Sequence, residues 1–250
     1  MRSAVITFDV HPQSVLSGKS PALLTTFEER LSMLRKEGVD DIYVSHFADI
    51  SRMTAAEFML MMRREYGVRV LLMGYDHRFG SDRLTDFEDY QSLGKEVGIE
   101  VKKMQSSLMP VSSSSIRRAL LQSDILSANK MLGYAYTLKG NVVHGRGIGR
   151  SLGFPTANVQ VAKEKLIPLA GVYGVKCCGK GAICNIGTNP TIGGTETSIE
   201  IHIPQFSGNL YGQEVSVSFE RFIRPEQRFD NLETLQTQIK EDIRTCGFAV

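Results

Sequence analysis

The sequence predicts two domains of different fold class: a doubly wound α/β domain with a parallel sheet, followed by a six-stranded antiparallel β-barrel that ends in a helix. Residues 1–130 alternate apolar runs of strand length with capped helical patterns, which is typical of a parallel sheet covered by helices. Residues 131–250 hold short strand-like segments broken by Gly and Pro, with one helical pattern at the end. This change of pattern places the domain boundary near residue 130.

The first domain begins with an apolar run and continues with helices that carry start and stop signals. A Thr followed three residues later by a Glu forms a capping box, and such boxes predict helix starts at Thr26 and Thr54. A further helical pattern passes through Phe87 and ends near Gly98. The strand-like runs of this domain lie at residues 4–8, 41–47, 68–73 and 100–104.

The second domain contains six strand-like segments with no helical pattern between them. They lie at residues 137–143, 157–161, 171–178, 182–186, 198–203 and 214–222. Short consecutive strands separated by turns favour a small antiparallel barrel. Asp230 or Asn231 opens the final helix, which passes through Leu235 and Ile239 and is expected to cover one side of the barrel.

Composition excludes several classes of protein. The 250 residues are 42% hydrophobic with a formal net charge of +2, so nothing indicates a nucleic-acid-binding surface. The N-terminus lacks the order of a signal peptide, and no apolar run approaches the roughly 20 residues of a membrane span. We therefore expect a cytoplasmic protein with no nucleic-acid or membrane partner; oligomeric state is not predicted. The four cysteines lack metal-ligand spacing and are expected to be reduced thiols.

Residues 145–158 are the most informative stretch of the chain, Gly-Arg-Gly-Ile-Gly-Arg-Ser-Leu-Gly-Phe-Pro-Thr-Ala-Asn. Glycines let the backbone come close to a ligand and point amide groups at phosphate oxygens, and arginines neutralise the charge. Alternation places Thr156 and Asn158 on one face of the following strand, where a hydroxyl and an amide oxygen suit Mg²⁺. The predicted phosphate and Mg²⁺ site comprises Gly145, Arg146, Gly147, Gly149, Arg150, Gly153, Thr156 and Asn158.

The alternative is that this run is only a solvated, flexible loop, which is the common interpretation of glycines and arginines alone. The rigid, apolar-flanked hexapeptide Gly-Phe-Pro-Thr-Ala-Asn favours a binding site. The run is neither a Walker A loop, because no Gly-Lys-Ser/Thr ends it, nor a dinucleotide fingerprint, because a strand rather than a helix follows.

Further blocks follow in the same domain, at residues 189–191, 198–202, 210–212, 224–226 and 229–230. Together with the glycine run they resemble the ordered motifs of riboflavin kinases. The whole chain resembles the bacterial bifunctional riboflavin kinase/FMN adenylyltransferase family, also called FAD synthetase. The resemblance implies that the barrel phosphorylates riboflavin to FMN with ATP as co-substrate and Mg²⁺ as cofactor. It also implies that a nucleotidyltransferase-like N-terminal domain adenylylates FMN to FAD.

The resemblance assigns roles within the barrel domain. Glu200 is expected to orient or deprotonate the ribityl 5′-hydroxyl, Asn189 to belong to the ATP site, and Arg224 and Phe229 to lie against the isoalloxazine ring. The spacing alone favours a solvent-facing strand residue at position 200, whereas the presence of Thr156 and Asn158 favours the catalytic role of Glu200. The alternative for Arg224 and Phe229 is an ordinary lead-in to a helix. His202 shares the face of Glu200, and two interpretations stay open: it orients Glu200 or it packs.

Three blocks of the first domain, residues 7–12, 74–80 and 111–117, resemble the adenylyltransferase half. The serines of the third block lie at a predicted helix N-terminus, which binds anions readily, although a plain serine N-cap is the simpler interpretation. The expected nucleotide-binding residues are His11, Gly74, Asp76, Arg78, Phe79, Ser112, Ser113 and Arg117.

One part of the family pattern is missing. The H-x-G-H run that holds ATP phosphates in the family occurs nowhere in this sequence. By analogy roughly 40 residues with the first, central strand are absent, so we expect Met1 to be an internal methionine of a longer protein. We expect this chain to make FMN but to adenylylate it poorly or not at all.

Two other classes of function stay open. One is a non-catalytic nucleotide- or flavin-binding or regulatory module, and the other is an interaction protein that merely uses the fold. The presence of Thr156, Asn158 and Glu200 together favours the enzyme, because a binding module has no need of a metal pair and a base at once.

Overall fold

The structure, a computed structural model, describes residues 1–74, 77–104, 111–145, 149, 153–191 and 194–247, without the side chains of 188–191 and 194–196. The chain forms two compact units. The first comprises Met1–Pro21 with Thr25–Pro110, and the second comprises Ala22–Leu24 with Val111–Val250. Among the helices of these described residues, none combines the length and the apolar character needed to cross a membrane.

Parallel strand pairs form the first unit. Strand β1 (Ala4–Phe8) pairs with β2 (Asp41–Ser45), and β3 (Val70–Met73) pairs with β4 (Glu100–Lys103). In the described residues these strands form two separate parallel pairs rather than one continuous sheet. The helices of the unit are α1 (Pro12–Ser17), α2 (Phe27–Lys36), α3 (Phe47–Ile50), α4 (Ala55–Tyr66) and α5 (Phe87–Val97).

The predicted helix signals act as expected in this unit. The Thr26 hydroxyl accepts from the Glu29 amide at 3.2 Å, and the Glu29 carboxylate accepts from the Thr26 amide at 2.9 Å. The same reciprocal pair opens α4 at Thr54. Helices α4 and α5 both end at a glycine in the left-handed region. The predicted parallel α/β architecture is therefore confirmed.

The second unit contains the closed barrel. Its strands are β5 (Thr137–Val143), β6 (Ala157–Val161), β7 (Gly171–Cys177), β8 (Lys180–Thr191), β9 (Gly194–His202) and β10 (Glu214–Arg224). The order around the barrel is β5, β6, β9, β8, β7 and β10, and all of these pairs are antiparallel. Residues 182–186 and 198–202 belong to longer strands than predicted, because β8 and β9 extend into a long hairpin, and β9 ends one residue before the predicted bound at 203. The predicted six-stranded barrel is confirmed.

Helices cover the barrel on its outside. Helix α8 (Leu232–Thr245) is capped by Asn231, whose side chain accepts from the Thr234 amide at 2.9 Å. Its residues Ile243 and Cys246 pack on Val172 and Ile183 of the barrel's outer face. Helices α6 (Ser113–Leu121) and α7 (Ile125–Leu132) also contribute buried residues to the barrel core. The domain division at residue 130 stays a prediction.

All four cysteines are free thiols, and all lie in the described part of the chain. Cys178 is exposed in the β7–β8 turn, whereas Cys177, Cys184 and Cys246 are buried. Burial raises the pKa of the Cys177 thiol to about 12, and it also raises the pKa of Cys184 and Cys246. Only a small fraction of the buried thiols is therefore ionised at neutral pH.

We predict that one thiol per native chain reacts quickly with Ellman's reagent. Because the thiolate is the nucleophile, the three buried cysteines should react slower than Cys178 by about 10²-fold or more. Cys178→Ser should remove the fast phase, and chains unfolded in urea should release all four thiols. Two or more fast thiols in the native chain would contradict this burial pattern.

A second prediction concerns the ion pair of Arg224 and Asp242, whose side chains are 17% and 3% exposed. Asp242→Asn should lower the free energy of unfolding by about 3 kcal/mol, because it leaves a largely buried guanidinium without its counter-charge. Urea unfolding followed by circular dichroism measures this loss.

The neighbouring Glu241→Gln is the matched control. Glu241 and Arg244 are both mostly exposed and 3.9 Å apart, so this change should cost less than about 0.5 kcal/mol. Equal losses in the free energy of unfolding for Asp242→Asn and Glu241→Gln would show that burial of the Arg224–Asp242 pair adds nothing to stability.

Candidate active site

A row of polar side chains crosses the outer face of the barrel. Asn158 of β6 lies opposite Glu200 of β9, and Glu200 lies opposite Asn185 of β8. Directly opposed residues on antiparallel strands point to the same side of the sheet. The sequence neighbours of Glu200, Ile199 and Ile201, are buried in the barrel core. Glu200 therefore faces outward, together with Asn158 and Asn185.

Thr156 joins this row from the segment just before β6. Its hydroxyl lies 3.5 Å from Glu200 Oε2, a long contact in which the hydroxyl donates. Thr156 and Asn158 are two residues apart, so their side chains share the outer face as the alternation predicts. A hydroxyl, an amide and a carboxylate thus meet at one place on β6 and β9.

Two glycines of the run at residues 145–158 lie directly against these side chains. A Cβ added to Gly145 would lie 2.0 Å from Asn158 Nδ2. A Cβ added to Gly149 would lie 2.4 Å from the Phe154 carbonyl oxygen and 3.1 Å from the Thr156 hydroxyl. A side chain at position 149 would therefore collide with backbone, whereas one at position 145 would displace the Asn158 amide. Gly153 has a φ of 80°.

Several predicted residues of this site cannot be placed. Arg146, Gly147 and Arg150 lie outside the described residues. Asn189 lies on β8, but its side chain is outside the described part of the structure.

His202 is 9% exposed and contacts the segment before Thr156. Its Nδ1 lies 3.0 Å from the Pro155 carbonyl oxygen, and its ring meets Phe154 edge to face with centroids 5.4 Å apart. Burial lowers the pKa of His202, which favours the neutral imidazole. The described contacts of its side chain are thus directed at Phe154 and Pro155.

Arg224 is held between a helix and an aromatic ring. Its Nε donates to Asp242 Oδ1 at 2.9 Å, and its Nη2 donates to Oδ2 at 2.8 Å. The guanidinium carbon lies 5.6 Å from the centroid of the Phe229 ring. Gln238 also donates to Asp242, at 3.0 Å. The two predicted flavin residues therefore contact each other.

Our sequence reasoning missed Asp242, although the pattern contains a signal for it. Ile239, Asp242, Ile243 and Cys246 follow the spacing of one helix face, and the other three residues pack on the barrel. A carboxylate on an apolar stripe indicates a buried partner, because an unpaired charge is costly to bury.

A second carboxylate lies on the same outer face as Glu200. A Cβ added to Gly187 would lie 2.9 Å from Glu226 Oε1 and 3.1 Å from Ser198 Oγ. Ser198 is two residues from Glu200 on β9 and opposite Gly187 on β8. Glu226 can lie over β8 at this point because residue 187 has no side chain.

A cavity of about 270 Å³ opens beside Thr156. Most of its wall is apolar, and Tyr211 in the wall stacks on His144 with ring centroids 4.1 Å apart. Sequence reasoning did not predict this cavity, although it singled out the block at residues 210–212. The side chains that line it include Val142, Pro155, Thr156, Ala157, Ile201, Ile203, Phe206, Leu210 and Tyr211.

In the first unit, the residues of the block at 74–80 divide between a cavity and the core. Gly74 and Arg78 line a cavity of about 200 Å³ with His77 and Lys103. Phe79 packs on Tyr90, with ring centroids 4.8 Å apart, and its amide donates to the Tyr90 hydroxyl at 3.1 Å. Asp76 lies outside the described residues.

His11, the other predicted residue of this unit, caps α1. Its Nδ1 accepts from the Gln13 amide at 3.2 Å. Nearby in the sequence, Asp9 Oδ2 lies 2.7 Å from His46 Nδ1, a pair that sequence reasoning did not predict. Bonding to His46 lowers the pKa of Asp9.

The serine block belongs to the second unit. Ser112 caps α6 by accepting from the Ser115 amide at 3.1 Å, and Ser113 is the first helical residue. Arg117 Nε donates to the Ala22 carbonyl oxygen at 2.8 Å. The capping role of the serines is therefore present, and their role in anion binding stays a prediction.

Comparisons with known proteins cover both units. The riboflavin kinase family model matches residues 132–248, and the FAD synthetase model matches residues 1–115. A structure described as that of a macrolide-efflux protein from Streptococcus pneumoniae is similar over 100% of this chain and 84% of its own, with a TM-score of 0.89 and 30% identity.

Two curated relatives have the same name, bifunctional riboflavin kinase/FMN adenylyltransferase. The one from Listeria monocytogenes is 36% identical over 97% of this chain and 80% of its own length. The one from Escherichia coli K12 is 34% identical over the same shares of the two chains. With identity at this level along nearly its whole length, the chain belongs to the bifunctional riboflavin kinase/FMN adenylyltransferase family.

Proposed function

We propose that the barrel unit transfers the γ-phosphoryl group of ATP to the ribityl 5′-hydroxyl of riboflavin, which forms FMN and releases ADP as the bond between the γ-phosphorus and the bridging oxygen breaks. The observation that carries this proposal is the meeting of Thr156, Asn158 and Glu200 on one outer face of β6 and β9. Phosphoryl transfer depends on positioning and on neutralisation of charge, so a small set of well-placed groups is sufficient. The names of the curated relatives support the same reaction.

Glu200 accepts the proton of the attacking hydroxyl in this proposal. Its carboxylate faces outward between two amide side chains and is the acidic group directly opposite Asn158. The Thr156 hydroxyl, 3.5 Å away, limits the directions that the carboxylate can take. As the proton leaves the 5′-hydroxyl for Glu200, the oxygen becomes a better nucleophile toward the γ-phosphorus.

Thr156 and Asn158 suit a magnesium ion. Their hydroxyl and amide oxygens are hard ligands, and Mg²⁺ takes few protein ligands because phosphates and water fill the rest of its shell. When bound, the ion neutralises charge on the phosphates. Gly145 packs against the Asn158 amide and restricts it, and the backbone of residues 145–153 supplies the phosphate cradle. Arg146, Gly147 and Arg150 complete this proposed cradle, with Asn189 from β8.

The cavity beside Thr156 takes the nucleoside of ATP. Its wall is largely apolar, and the stacked His144 and Tyr211 rings offer a flat surface to a purine. Thr156 lies at the wall of this cavity and also faces Glu200, so a nucleotide held there directs its phosphates toward the carboxylate.

Riboflavin lies on the outer face of the barrel. Asn185, Ser198 and Glu226 line this face near Glu200, and they are polar groups that suit the hydroxyls of a ribityl chain. Arg224 and Phe229 take the isoalloxazine ring. Asp242 holds the guanidinium of Arg224 in place for that contact.

Adenylylation of FMN to FAD, with release of pyrophosphate from ATP, is the reaction proposed for the first unit, and the expectation that this chain performs it poorly or not at all stays a prediction. The cavity with Gly74, Arg78 and Lys103 combines cationic groups with the C-terminal end of β3, where parallel sheets bind ligands. His11, Asp76 and Phe79 are the other residues of this unit proposed for the reaction. A phosphate-binding role of Ser112, Ser113 and Arg117, which belong to the second unit, stays a prediction. Chromatography of FAD formed from FMN and ATP tests it separately from the kinase reaction.

Glu200→Gln should lower kcat for FMN formation by about 10²-fold or more, because an amide cannot accept the proton. Binding of a non-hydrolysable ATP analogue should stay nearly unchanged. Glu220→Gln on β10 is the matched control, since Glu220 pairs with Lys176 and is not part of the polar row; it should keep activity within about twofold. A loss below about threefold in Glu200→Gln would refute the role of base.

Gly145→Ala should raise the Mg²⁺ concentration needed for half-maximal FMN formation by about 10-fold or more, because the new methyl group displaces the Asn158 amide. Asn158→Ala should raise it at least as much, and Glu220→Gln should leave it unchanged. Titration of the reaction with Mg²⁺ at saturating ATP measures this value. An unchanged Mg²⁺ requirement in both variants would exclude Asn158 as a ligand.

A further inference from the structure

The contact between His202 and Pro155 lies where the pairing of β6 with β9 begins. Ala157, the first residue of β6, pairs with Ile201, and Asn158 pairs with Glu200. Pro155 has no amide hydrogen and cannot donate to β9 to extend the pairing. Its carbonyl oxygen instead accepts from His202 Nδ1 at 3.0 Å. A side chain of β9, that of His202, thus holds the backbone at Pro155, just before the pairing of β6 with β9 begins.

The chemistry of this bond defines the state of the imidazole. A carbonyl oxygen only accepts, so Nδ1 must carry the hydrogen. Burial lowers the pKa of His202 and favours the neutral imidazole, and of its two tautomers the one with hydrogen on Nδ1 fits the Pro155 carbonyl.

Packing keeps the imidazole in position. His202 is 9% exposed, and the Phe154 ring lies against it edge to face. Phe154 in turn packs on the cluster that joins the barrel to α8, which includes Ile243 and Cys246. Because the ring is largely buried and Phe154 is itself packed, the imidazole has little freedom to turn away from Pro155.

These contacts bracket Thr156 from two sides. His202 holds the carbonyl of Pro155, the residue before Thr156. The Thr156 hydroxyl faces Glu200, which lies two residues before His202 on β9. Strand β9 therefore sets the proposed base and the proposed Mg²⁺ ligand relative to each other. In phosphoryl transfer a misplacement of about 1 Å can cost about 10²-fold in rate.

We propose that His202 is a positioning residue for Thr156: through the Pro155 carbonyl it fixes the hydroxyl that binds the Mg²⁺-ATP complex. This role rests on the proposed kinase function. In this role His202 acts on the backbone that carries Thr156. It differs from the interpretation that His202 orients Glu200, because the bond is directed at the Pro155 carbonyl, and it adds a directed bond to the packing of the ring.

Two amide substitutions at residue 202 test the proposal. The side-chain NH₂ of Asn takes roughly the place of Nδ1 in His, whereas that of Gln takes roughly the place of Nε2. His202→Asn keeps a donor for Pro155, and His202→Gln does not. We expect His202→Asn to keep kcat/KM for ATP within about threefold and His202→Gln to lose about 10-fold or more, with the KM for riboflavin within about twofold in both.

A measurement without turnover accompanies the kinetics. Calorimetric titration with a non-hydrolysable ATP analogue should show about 10-fold weaker binding to His202→Gln than to His202→Asn in the presence of Mg²⁺. Without Mg²⁺ the two variants should differ little, because the Thr156 ligand is then not used. The titration needs no riboflavin and no product.

The outcomes separate the two proposals. If the unsubstituted chain makes no FMN from riboflavin, ATP and Mg²⁺, the proposed kinase function fails, and the titration still decides the role of His202. Equal behaviour of the Asn and Gln variants in the titration would overturn the positioning role. An equal loss of riboflavin binding and of ATP-analogue binding in both variants would also overturn it, since such a loss marks a general structural effect. Thermal unfolding of both variants serves as the check on folding.

Discussion

The register between β6 and β9 is the constraint on which the rest of the site depends. It places Asn158 opposite Glu200 on the outer face, while Ala157 and Ile201 turn toward the core. A slip of one residue would turn every side chain to the other face and would bury Glu200 in the barrel. The packing of Ile199 and Ile201 in the core opposes such a slip. The position of the carboxylate is therefore a consequence of core packing.

The outer face has a second support in the C-terminal helix. Helix α8 binds the guanidinium of Arg224 through Asp242 and packs its apolar residues on β7 and β8. Phe154, next to the Pro-Thr segment, packs on the same apolar cluster. One helix thus restrains both the end of β10 and the segment before β6. Restraint of this kind lets short loops hold catalytic groups in one arrangement.

Local sequence signals predict much of this molecule. Thr26 and Thr54 open their helices by the expected capping boxes, and residues 137–143 and 157–161 form strands with the predicted bounds. These predictions succeed because caps and alternation depend on residues only a few positions apart. The extent of β8 and β9 is underestimated, since the hairpin beyond residue 186 is stabilised by pairing between strands rather than by its own apolar pattern.

The candidate residues Thr156, Asn158 and Glu200 come from the sequence alone, as does the common face of Thr156 and Asn158, because alternation along a strand decides it. Their meeting required the barrel, which brings β6 beside β9 although 42 residues separate Asn158 from Glu200. The bond of Arg224 to Asp242, the bond of His202 to Pro155 and the cavity beside Thr156 also appear only in the tertiary structure. Such partners are chosen by the packing of distant elements, and no periodicity in the sequence encodes that choice.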